Sequence, residues 1–370
     1  ANLTLFQKFM HRHFGLTRIC LNFASMNIYK LLKMAAGEKT PGFVKLLGLW
    51  TMHSCRRRYI GVFLDPVLAC NLRCRMCFFS DDTMRAGMTG TISEERLALI
   101  EHAFFHRALK LQIGCGAEPT LYPRLAEIIA RGKNAGVPYI SLITNGQLIA
   151  SGKVSLPDLV KAGLNEITLS MHGTRQETYE HLMTGAKFSN LLTLLNIIQG
   201  IKKEHPKFRV RVNFTVNSLN VHDLEGSGFW DIWPEGLQPD IVQLRPVQKL
   251  GESAWTDFDP RPLKEHYDAS IGSVAAECRH KGITCIAPSK HQIDEVATPQ
   301  DGVSAMIEDI TYCYVSPREC YKPDFNPATD TFEIYHRRHR TAHRLFRAAF
   351  SRKLRDRGRH ISKKLNYTVK

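Results

Sequence analysis

Residues 59–77 read YIGVFLDPVLACNLRCRMC, and this stretch governs how the rest of the chain is interpreted. Its first six residues form a short apolar run, which predicts a strand buried on both faces. Cys70, Cys74 and Cys77 follow at the spacing C-x3-C-x2-C. Three thiolates on one short loop can hold three irons of a four-iron cluster and leave the fourth iron without a protein ligand. An open coordination position is typical of a reactive metal centre, whereas a structural zinc site needs a fourth protein ligand.

Short strand-like runs recur along the chain, and helical patterns separate them. The predicted strands are 59–64, 111–114, 139–144, 166–171, 209–216 and 240–246. The predicted helices are 94–110, 122–135, 156–162 and 188–203. This alternation requires right-handed crossovers and a parallel sheet, either a barrel or an open doubly wound sheet. In both folds the reactive loops lie at the carboxyl ends of the strands.

Polar motifs follow these predicted strands, each at the point where a strand ends. GAEP at 116–119 follows the second strand, Asn145 follows the third, and Ser170 ends the fourth. Together with the cysteine loop, these motifs resemble the radical S-adenosylmethionine (SAM) superfamily, in which a GGE(P) segment receives the amino group of SAM. Met76 stands where that family commonly has an aromatic residue. The resemblance assigns SAM contacts to Met76, Gly116, Ala117, Glu118, Asn145 and Ser170.

The resemblance implies an α/β fold, a partial six-stranded (β/α) barrel of the TIM type, and an enzyme. Its cofactors would be SAM and a [4Fe-4S] cluster on Cys70, Cys74 and Cys77. Reduction of SAM would yield a 5′-deoxyadenosyl radical that abstracts a substrate hydrogen, with flavodoxin or ferredoxin as the electron donor. We expect a peptide or protein side chain as substrate. The alternative is oxidation or epimerisation of a carbohydrate, a lipid-linked glycan or another small molecule. The intact motifs argue against a non-catalytic iron–sulfur or RNA-binding protein.

Four more cysteines lie in a stretch that is rich in Gly, Pro and Asp and has no clear periodicity. They are Cys278, Cys285, Cys313 and Cys320. Four thiols suffice for one tetrathiolate site. The region is similar to the SPASM and twitch extensions that carry an auxiliary [4Fe-4S] cluster, although their C-x2-C pair is absent here. Structural zinc and unligated buried cysteines are the alternatives.

The formal net charge of +15 is unevenly distributed, because the basic residues concentrate at the two ends. Four regions are predicted: a basic amphipathic helical arm at 1–58, a barrel at 59–250, an auxiliary-cluster extension at 251–335 and a basic helical tail at 336–370. The arms would contact an anionic membrane surface or an acidic partner, with nucleic acid less favoured, or would pack across the barrel with a solvated basic face. No signal peptide or spanning segment is recognised, which predicts a cytoplasmic protein, with attachment to the inner face of the membrane as the alternative.

Overall fold

The computed structural model describes residues 40–247, 253, 255, 259–293, 299–300, 302–351 and 360–361. Most of the predicted N-terminal arm and the end of the predicted tail lie outside these residues, so those two predictions remain predictions. No helix in the described ranges is long and apolar enough to cross a membrane.

A parallel sheet of eight strands forms the centre of the fold, in the spatial order β7-β6-β5-β4-β3-β2-β1-β9. A separate antiparallel pair joins β8 to β10. The strands are β1 (Ile60–Leu64), β2 (Ala108–Ile113), β3 (Ile140–Thr144), β4 (Glu166–Ser170), β5 (Arg209–Val216), β6 (Ile241–Pro246), β7 (Thr284–Ile286), β8 (Pro299–Gln300), β9 (Tyr312–Val315) and β10 (His360–Ile361).

Helices connect the strands of the sheet and pack against its outer face. They are α1 (Gly42–Ser54), α2 (Asp82–Gly87), α3 (Glu94–Ile100), α4 (Leu125–Asn134), α5 (Gln147–Ala150), α6 (Leu156–Ala162), α7 (Gln176–Leu182), α8 (Phe188–Glu204), α9 (Arg261–Glu265), α10 (Ser273–His280), α11 (Gly302–Thr311), α12 (Phe332–Arg338) and α13 (Thr341–Phe350). The longest crossover helix, α8, buries an apolar stripe at helical spacing, from Leu191 to Ile201. Burial of such stripes supplies most of the helical stability.

The two faces of the sheet differ in chemistry. Every second strand residue, such as Val62 and Leu142, is fully buried and apolar. The other set is polar, and Lys110 Nζ donates to Gln112 Oε1 at 2.9 Å two residues along the same strand. Because successive strand side chains point to opposite faces, these residues line the inner side of the curved sheet. The inner side is therefore a polar lumen.

The fold predicted from the sequence is confirmed, including all six predicted strands. The second strand begins at Ala108 rather than at residue 111, and the helix before it is shorter than predicted. α3 ends at Ile100, a single π-helical turn covers Glu101–Phe105, and the chain then enters the sheet. The predicted helix 94–110 overlaps the start of β2 in sequence. Residues 108–110 belong to the strand because β2 pairs with β1.

The predicted auxiliary-cluster extension at 251–335 stays a prediction, and its described part contributes two strands to the sheet. β7 pairs with β6 and β9 pairs with β1, so this part of the chain adds one strand to each edge of the sheet. These strands have three and four residues, too few for a recognisable period. In the predicted tail, the helical pattern breaks at Arg340, whose φ is +51°.

Candidate active site

The three-cysteine loop leaves the carboxyl end of β1 and is fastened to the opposite side of the barrel mouth. The amide of Arg73 donates to Thr184 O and that of Arg75 to Leu182 O, both at 2.9 Å. Within the loop, Cys77 N donates to Cys74 O at 2.8 Å. The loop therefore has a fixed backbone that presents three thiols together.

Burial raises the pKa of all three thiols, most strongly at Cys74, where the neighbouring thiols Cys77 and Cys70 add to the effect. The pKa of Cys70 rises to about 12 for the same main reason. One zinc ion with bonds of about 2.3 Å would hold its sulfurs within about 4.6 Å of one another. The three thiols form no such single-ion group in the described chain. Three thiolates on one loop at the spacing C-x3-C-x2-C suit a cluster of several irons.

Glu118, in the GAEP segment, connects three loops at the barrel mouth. Its Oε1 accepts hydrogen bonds from Thr144 Oγ1 at 2.7 Å and from Thr120 N at 3.1 Å, while Oε2 accepts from Asn145 N at 2.9 Å. Its own amide donates to Ala69 O, immediately before the first cysteine. Burial raises the pKa of this carboxyl, and these bonds oppose the rise. The carboxylate is thus already engaged by the protein.

Asp65 performs a similar task on the other side of the same segment. The amides of Cys115 and Gly116 donate to its carboxylate at 2.7 and 3.1 Å. The hydroxyl of Tyr314, on the edge strand β9, donates to Asp65 Oδ2 at 2.9 Å. Burial raises the pKa of Asp65, and these donors oppose the rise. Asp65 therefore joins the end of β1, the segment after β2 and β9.

The remaining predicted SAM contacts lie around the same mouth. Asn145 Nδ2 donates to Asn71 Oδ1 at 2.9 Å, which ties the end of β3 to the cysteine loop. Ser170 ends β4 beside Asn213 of β5. Met76 is half-buried within the cysteine loop itself. The structure brings Gly116, Ala117 and the other predicted residues to the carboxyl ends of the first four strands, as the sequence predicts.

Three residues of this network were missed by the sequence analysis: Asp65, Asn71 and Thr144. Asp65 directly follows the first predicted strand, a position from which a side chain reaches the mouth of a barrel. That position was the available signal for Asp65. The contact between Asn71 and Asn145 joins residues 74 positions apart and has no local signal.

The late cysteines lie in two pairs among the described residues, and the predicted auxiliary cluster on all four stays a prediction. Cys285 on β7 forms a thiol hydrogen bond with Cys278, and Cys313 on β9 lies near Cys320. β7 and β9 are opposite edges of the sheet. Cys285 pairs in register with Val242 and Cys313 with Val62, which places both on the outer face, away from the lumen. No three of these thiols form a single-ion group in the described chain.

A second group of metal-binding residue types occurs at the surface. His222, Glu225 and His266 bring their ligand atoms within 4.8 Å of one another. Both imidazole Nδ1 atoms lie within hydrogen-bonding distance of Glu225 Oε1, at 3.1 and 2.9 Å. Two histidines bonded to one carboxylate account for this arrangement without an ion.

Comparison with known proteins agrees with this geometry. Residues 65–217, which include the cysteine loop, the GAEP segment, Asn145 and Ser170, match the family model of the radical SAM superfamily. These residues are similar to the radical SAM superfamily. Members of this superfamily bind a [4Fe-4S] cluster and SAM. The two acidic residues that hold the GAEP segment, Asp65 and Glu118, lie within the matched range.

The curated relatives of the chain include probable GTP 3′,8-cyclases from archaea. The protein from Sulfolobus acidocaldarius is 25% identical over 221 residues, which cover 58% of this chain and 65% of the relative. The one from Saccharolobus solfataricus is 30% identical over 208 residues, covering 54% and 62%. The chain therefore spans somewhat less than two thirds of the length of these relatives.

Among solved structures, the fold is similar to that of Streptococcus suis SuiB. The TM-score is 0.57 at 12% identity, with 89% of this chain and 76% of SuiB covered. SuiB bound to its precursor peptide SuiA gives a TM-score of 0.55 at 12% identity, with 95% and 79% covered. At this identity the likeness concerns the fold alone, and it extends beyond the residues that the family model matches.

Proposed function

We propose that this chain is a radical SAM enzyme that abstracts a hydrogen atom from a polar substrate held in the barrel lumen. The observation that carries the proposal is the loop of Cys70, Cys74 and Cys77, held at the barrel mouth against the GAEP segment and Asn145. When bound, the cluster supplies one electron to the sulfonium of SAM, and the resulting 5′-deoxyadenosyl radical takes the hydrogen atom. A one-electron donor of the flavodoxin or ferredoxin class would be the redox partner.

The protein's own residues then have positioning tasks. Cys70, Cys74 and Cys77 would bind three irons and leave the fourth to SAM. Glu118 and Asp65 are positioning residues, because their carboxylates are occupied by backbone amides and hydroxyls of the loops they join. The half-buried Gly116 and Ala117 and the buried Glu118, together with Met76, Asn145 and Ser170, would contact SAM. Preorganised loops of this kind orient a cofactor without rearrangement during the reaction.

The substrate we propose first is a peptide or protein side chain. The fold likeness to SuiB extends over most of the chain, and SuiB has been solved with its precursor peptide. A partial barrel leaves one side of its mouth accessible, so an extended chain can approach from the edge while one side chain enters the lumen. The basic arms would bind an acidic peptide segment or an anionic membrane surface.

A small anionic molecule is the second candidate, and the chemistry of the lumen favours it. Arg211 is ion-paired with Glu166 at 3.2 Å on the inner face, and Lys110 lies near this pair. Burial lowers the pKa of Lys110 to about 8, although the charge of Glu166 opposes the change. The curated relatives are probable GTP 3′,8-cyclases, whose name implies a small anionic substrate.

The chemistry is tested with the anaerobically reconstituted protein, SAM and dithionite. We expect 5′-deoxyadenosine from wild type and none from Cys74→Ala. Cys55→Ala is the matched control, since Cys55 is exposed at the end of α1 and lies outside the loop. Loss of 5′-deoxyadenosine in Cys55→Ala as well, or its persistence in Cys74→Ala, would refute the assignment of the cluster.

The substrate class is tested by tracing the abstracted hydrogen. Extract from cells grown in deuterated medium supplies labelled candidate substrates, and mass spectrometry detects deuterium in 5′-deoxyadenosine. A peptide substrate predicts that deuterium transfer requires the macromolecular fraction and disappears after protease treatment. Transfer from a protease-treated filtrate of small molecules would instead establish the second candidate.

A further inference from the structure

A cavity of about 350 Å³ lies at the end of the barrel opposite to the cysteine loop. Its walls come from the end of α1, from Arg107 immediately before β2, and from α12 and the start of α13. Residues that precede parallel strands lie at the amino ends of the sheet, whereas Cys70 and Glu118 follow the carboxyl ends. The cavity is therefore separate from the proposed site of SAM chemistry, and nothing in the proposed function uses it.

Arg107 is the most deeply placed charge in this cavity, with a relative exposure of 1%. Its Nε is 3.3 Å from Glu333 Oε1, and its Nη2 donates to His53 O at 3.3 Å. Its Nη1 has no hydrogen-bond partner among the residues that the structure describes. The guanidinium also lies over the Tyr59 ring, with its Cζ 5.2 Å from the ring centroid. Buried polar groups are nearly always satisfied, so the unused Nη1 donor is available to a ligand in the cavity.

Glu333 does not balance the positive charge of the cavity, because its carboxylate is shared between Arg107 and His106. Its carboxylate also bonds His106 Nε2, at 2.9 and 3.0 Å. Three more arginines line the walls: Arg56, Arg337 and Arg340. None of them forms an ion pair with an acidic residue of the described ranges. Burial lowers the pKa of His53 to about 4 and that of His336 to about 3, so these two imidazoles are neutral at pH 7. The arginines therefore outnumber the single acid that lines the cavity.

The backbone of two of these arginines is strained. Arg56 has a φ of +52° and Arg340 a φ of +51°, and only one other described non-glycine residue, Tyr321, has a positive φ. Arg56 lies just past the end of α1, where glycine is the favoured residue, and Arg340 directly precedes α13. Unfavourable conformations that persist in a fold are concentrated at functional sites. Both strained residues line the same cavity.

We propose that this cavity binds a phosphate group carried by a small molecule. Guanidinium forks match the oxygen geometry of phosphate and bind it by two hydrogen bonds at once. One buried arginine and three exposed ones against one shared carboxylate favour a ligand with at least two negative charges. The volume is at the lower end of the range for small-molecule sites, which suits diphosphate or a small phosphate ester.

The test uses the full chain and titration calorimetry with inorganic diphosphate, inorganic phosphate and AMP in separate experiments. The variant is Arg56→Gly/Arg340→Gly, which removes two charges and also relieves the backbone strain. We expect saturable diphosphate or AMP binding by wild type, weakened at least about tenfold in the variant. The thermal midpoint of the ligand-free variant should be equal to or above that of wild type, because glycine accepts both conformations.

Arg347→Ala is the matched control, since Arg347 is an exposed arginine of α13 that does not line the cavity. It should bind as wild type does. Tighter binding of AMP than of diphosphate would identify a phosphate ester as the ligand, and the reverse a free polyphosphate. Absence of saturable binding in wild type, or equal binding in the double glycine variant and wild type, would overturn the proposal.

Discussion

Gly114 sets the close approach between the segment after β2 and the end of β3. Its φ is +86°, and a β-carbon there would lie 2.5 Å from Ile143 O and 2.9 Å from Pro119 Cγ. We predict that Gly114→Ala displaces the GAEP segment and lowers the free energy of unfolding by more than the roughly 1–2 kcal/mol that a left-handed alanine costs. Urea denaturation and SAM binding measure the two effects.

The variant Gly152→Ala measures how much stability is lost through backbone strain alone, without the crowding expected in Gly114→Ala. Gly152 also has a positive φ, +75°, but no atom of the described chain lies within 4 Å of the position that a β-carbon would occupy there. This variant should lose only the strain energy and bind SAM as wild type does. Equal losses of stability in the two variants would show that the contact with Ile143 O has no energetic role.

Thr144 tests the network around Glu118. Thr144→Val keeps the shape but removes the hydroxyl that donates to Glu118 Oε1 at 2.7 Å, so a buried carboxylate loses one of its donors. We expect a loss of about 1–3 kcal/mol in the free energy of unfolding. Thr193→Val is the control, because Thr193 is an exposed helical residue bonded to Ser189 O. A loss below that of the control would contradict the assigned role.

Sequence patterns predicted the candidate cluster ligands and the GAEP segment, but they did not predict the residues that position them. Cys70, Cys74, Cys77 and the GAEP segment have a fixed local spacing, so they could be predicted. Asp65 and Asn71 act through contacts with residues distant in sequence, and such contacts exist only once the strands are aligned. Glu118 was predicted as a SAM contact, but its carboxylate is occupied by the loops it joins.

At the scale of elements, the edge strand β9 is part of the site's support. Tyr314→Phe removes the hydroxyl that bonds Asp65 Oδ2 at 2.9 Å. We predict a loss of about 1 kcal/mol in stability, because one hydrogen bond to a buried carboxylate disappears. SAM affinity should fall as well, since Asp65 also holds the amides of Cys115 and Gly116.

Tyr335→Phe provides the comparison for this prediction. Tyr335 also donates to a carboxylate at 2.9 Å, that of Asp324, but on α12 and away from the barrel mouth. This variant should be destabilised without any change in SAM affinity, as measured by equilibrium dialysis. If both variants bound SAM with wild-type affinity, β9 would have no role in positioning the segment.

Six strands could be predicted because each is a distinct β-branched or apolar run. β7 and β9 could not, because three- and four-residue strands within a stretch rich in turn residues have no detectable period. Missing these two strands also hid how the late cysteines are paired. Cys285 and Cys313 lie on opposite edge strands, and the sequence alone does not show which thiol each one faces.

For the whole molecule, buried neutral histidines predict sensitivity to acid. His53 and His336 have pKa values near 4 and 3 in the folded chain and 6.5 as the ordinary value. Between these values the unfolded chain binds protons that the folded chain does not, so stability falls as pH decreases from about 6.5 towards 4. Urea denaturation across this range should show the fall in wild type.

His336→Gln should reduce this pH dependence, because glutamine does not titrate but can still bond the Tyr321 hydroxyl that lies 2.9 Å from His336 Nε2. His343→Gln, at an exposed position on the following helix, is the control and should leave the slope unchanged. An unchanged slope in His336→Gln would contradict the assignment of the acid sensitivity to this residue.

Iron and sulfide content, measured together with 5′-deoxyadenosine formation, tests the central claim most directly. The proteins to compare are wild type, the Cys70/Cys74/Cys77 triple alanine variant and a variant with all four late cysteines changed to serine. We predict iron and 5′-deoxyadenosine for wild type and for the late-cysteine variant, and no 5′-deoxyadenosine for the triple variant. About eight irons in wild type and about four in each variant would establish an auxiliary cluster on the late cysteines, whereas about four irons in both wild type and the late-cysteine variant would exclude it. Iron and 5′-deoxyadenosine in the triple variant, or neither in wild type, would contradict the central claim.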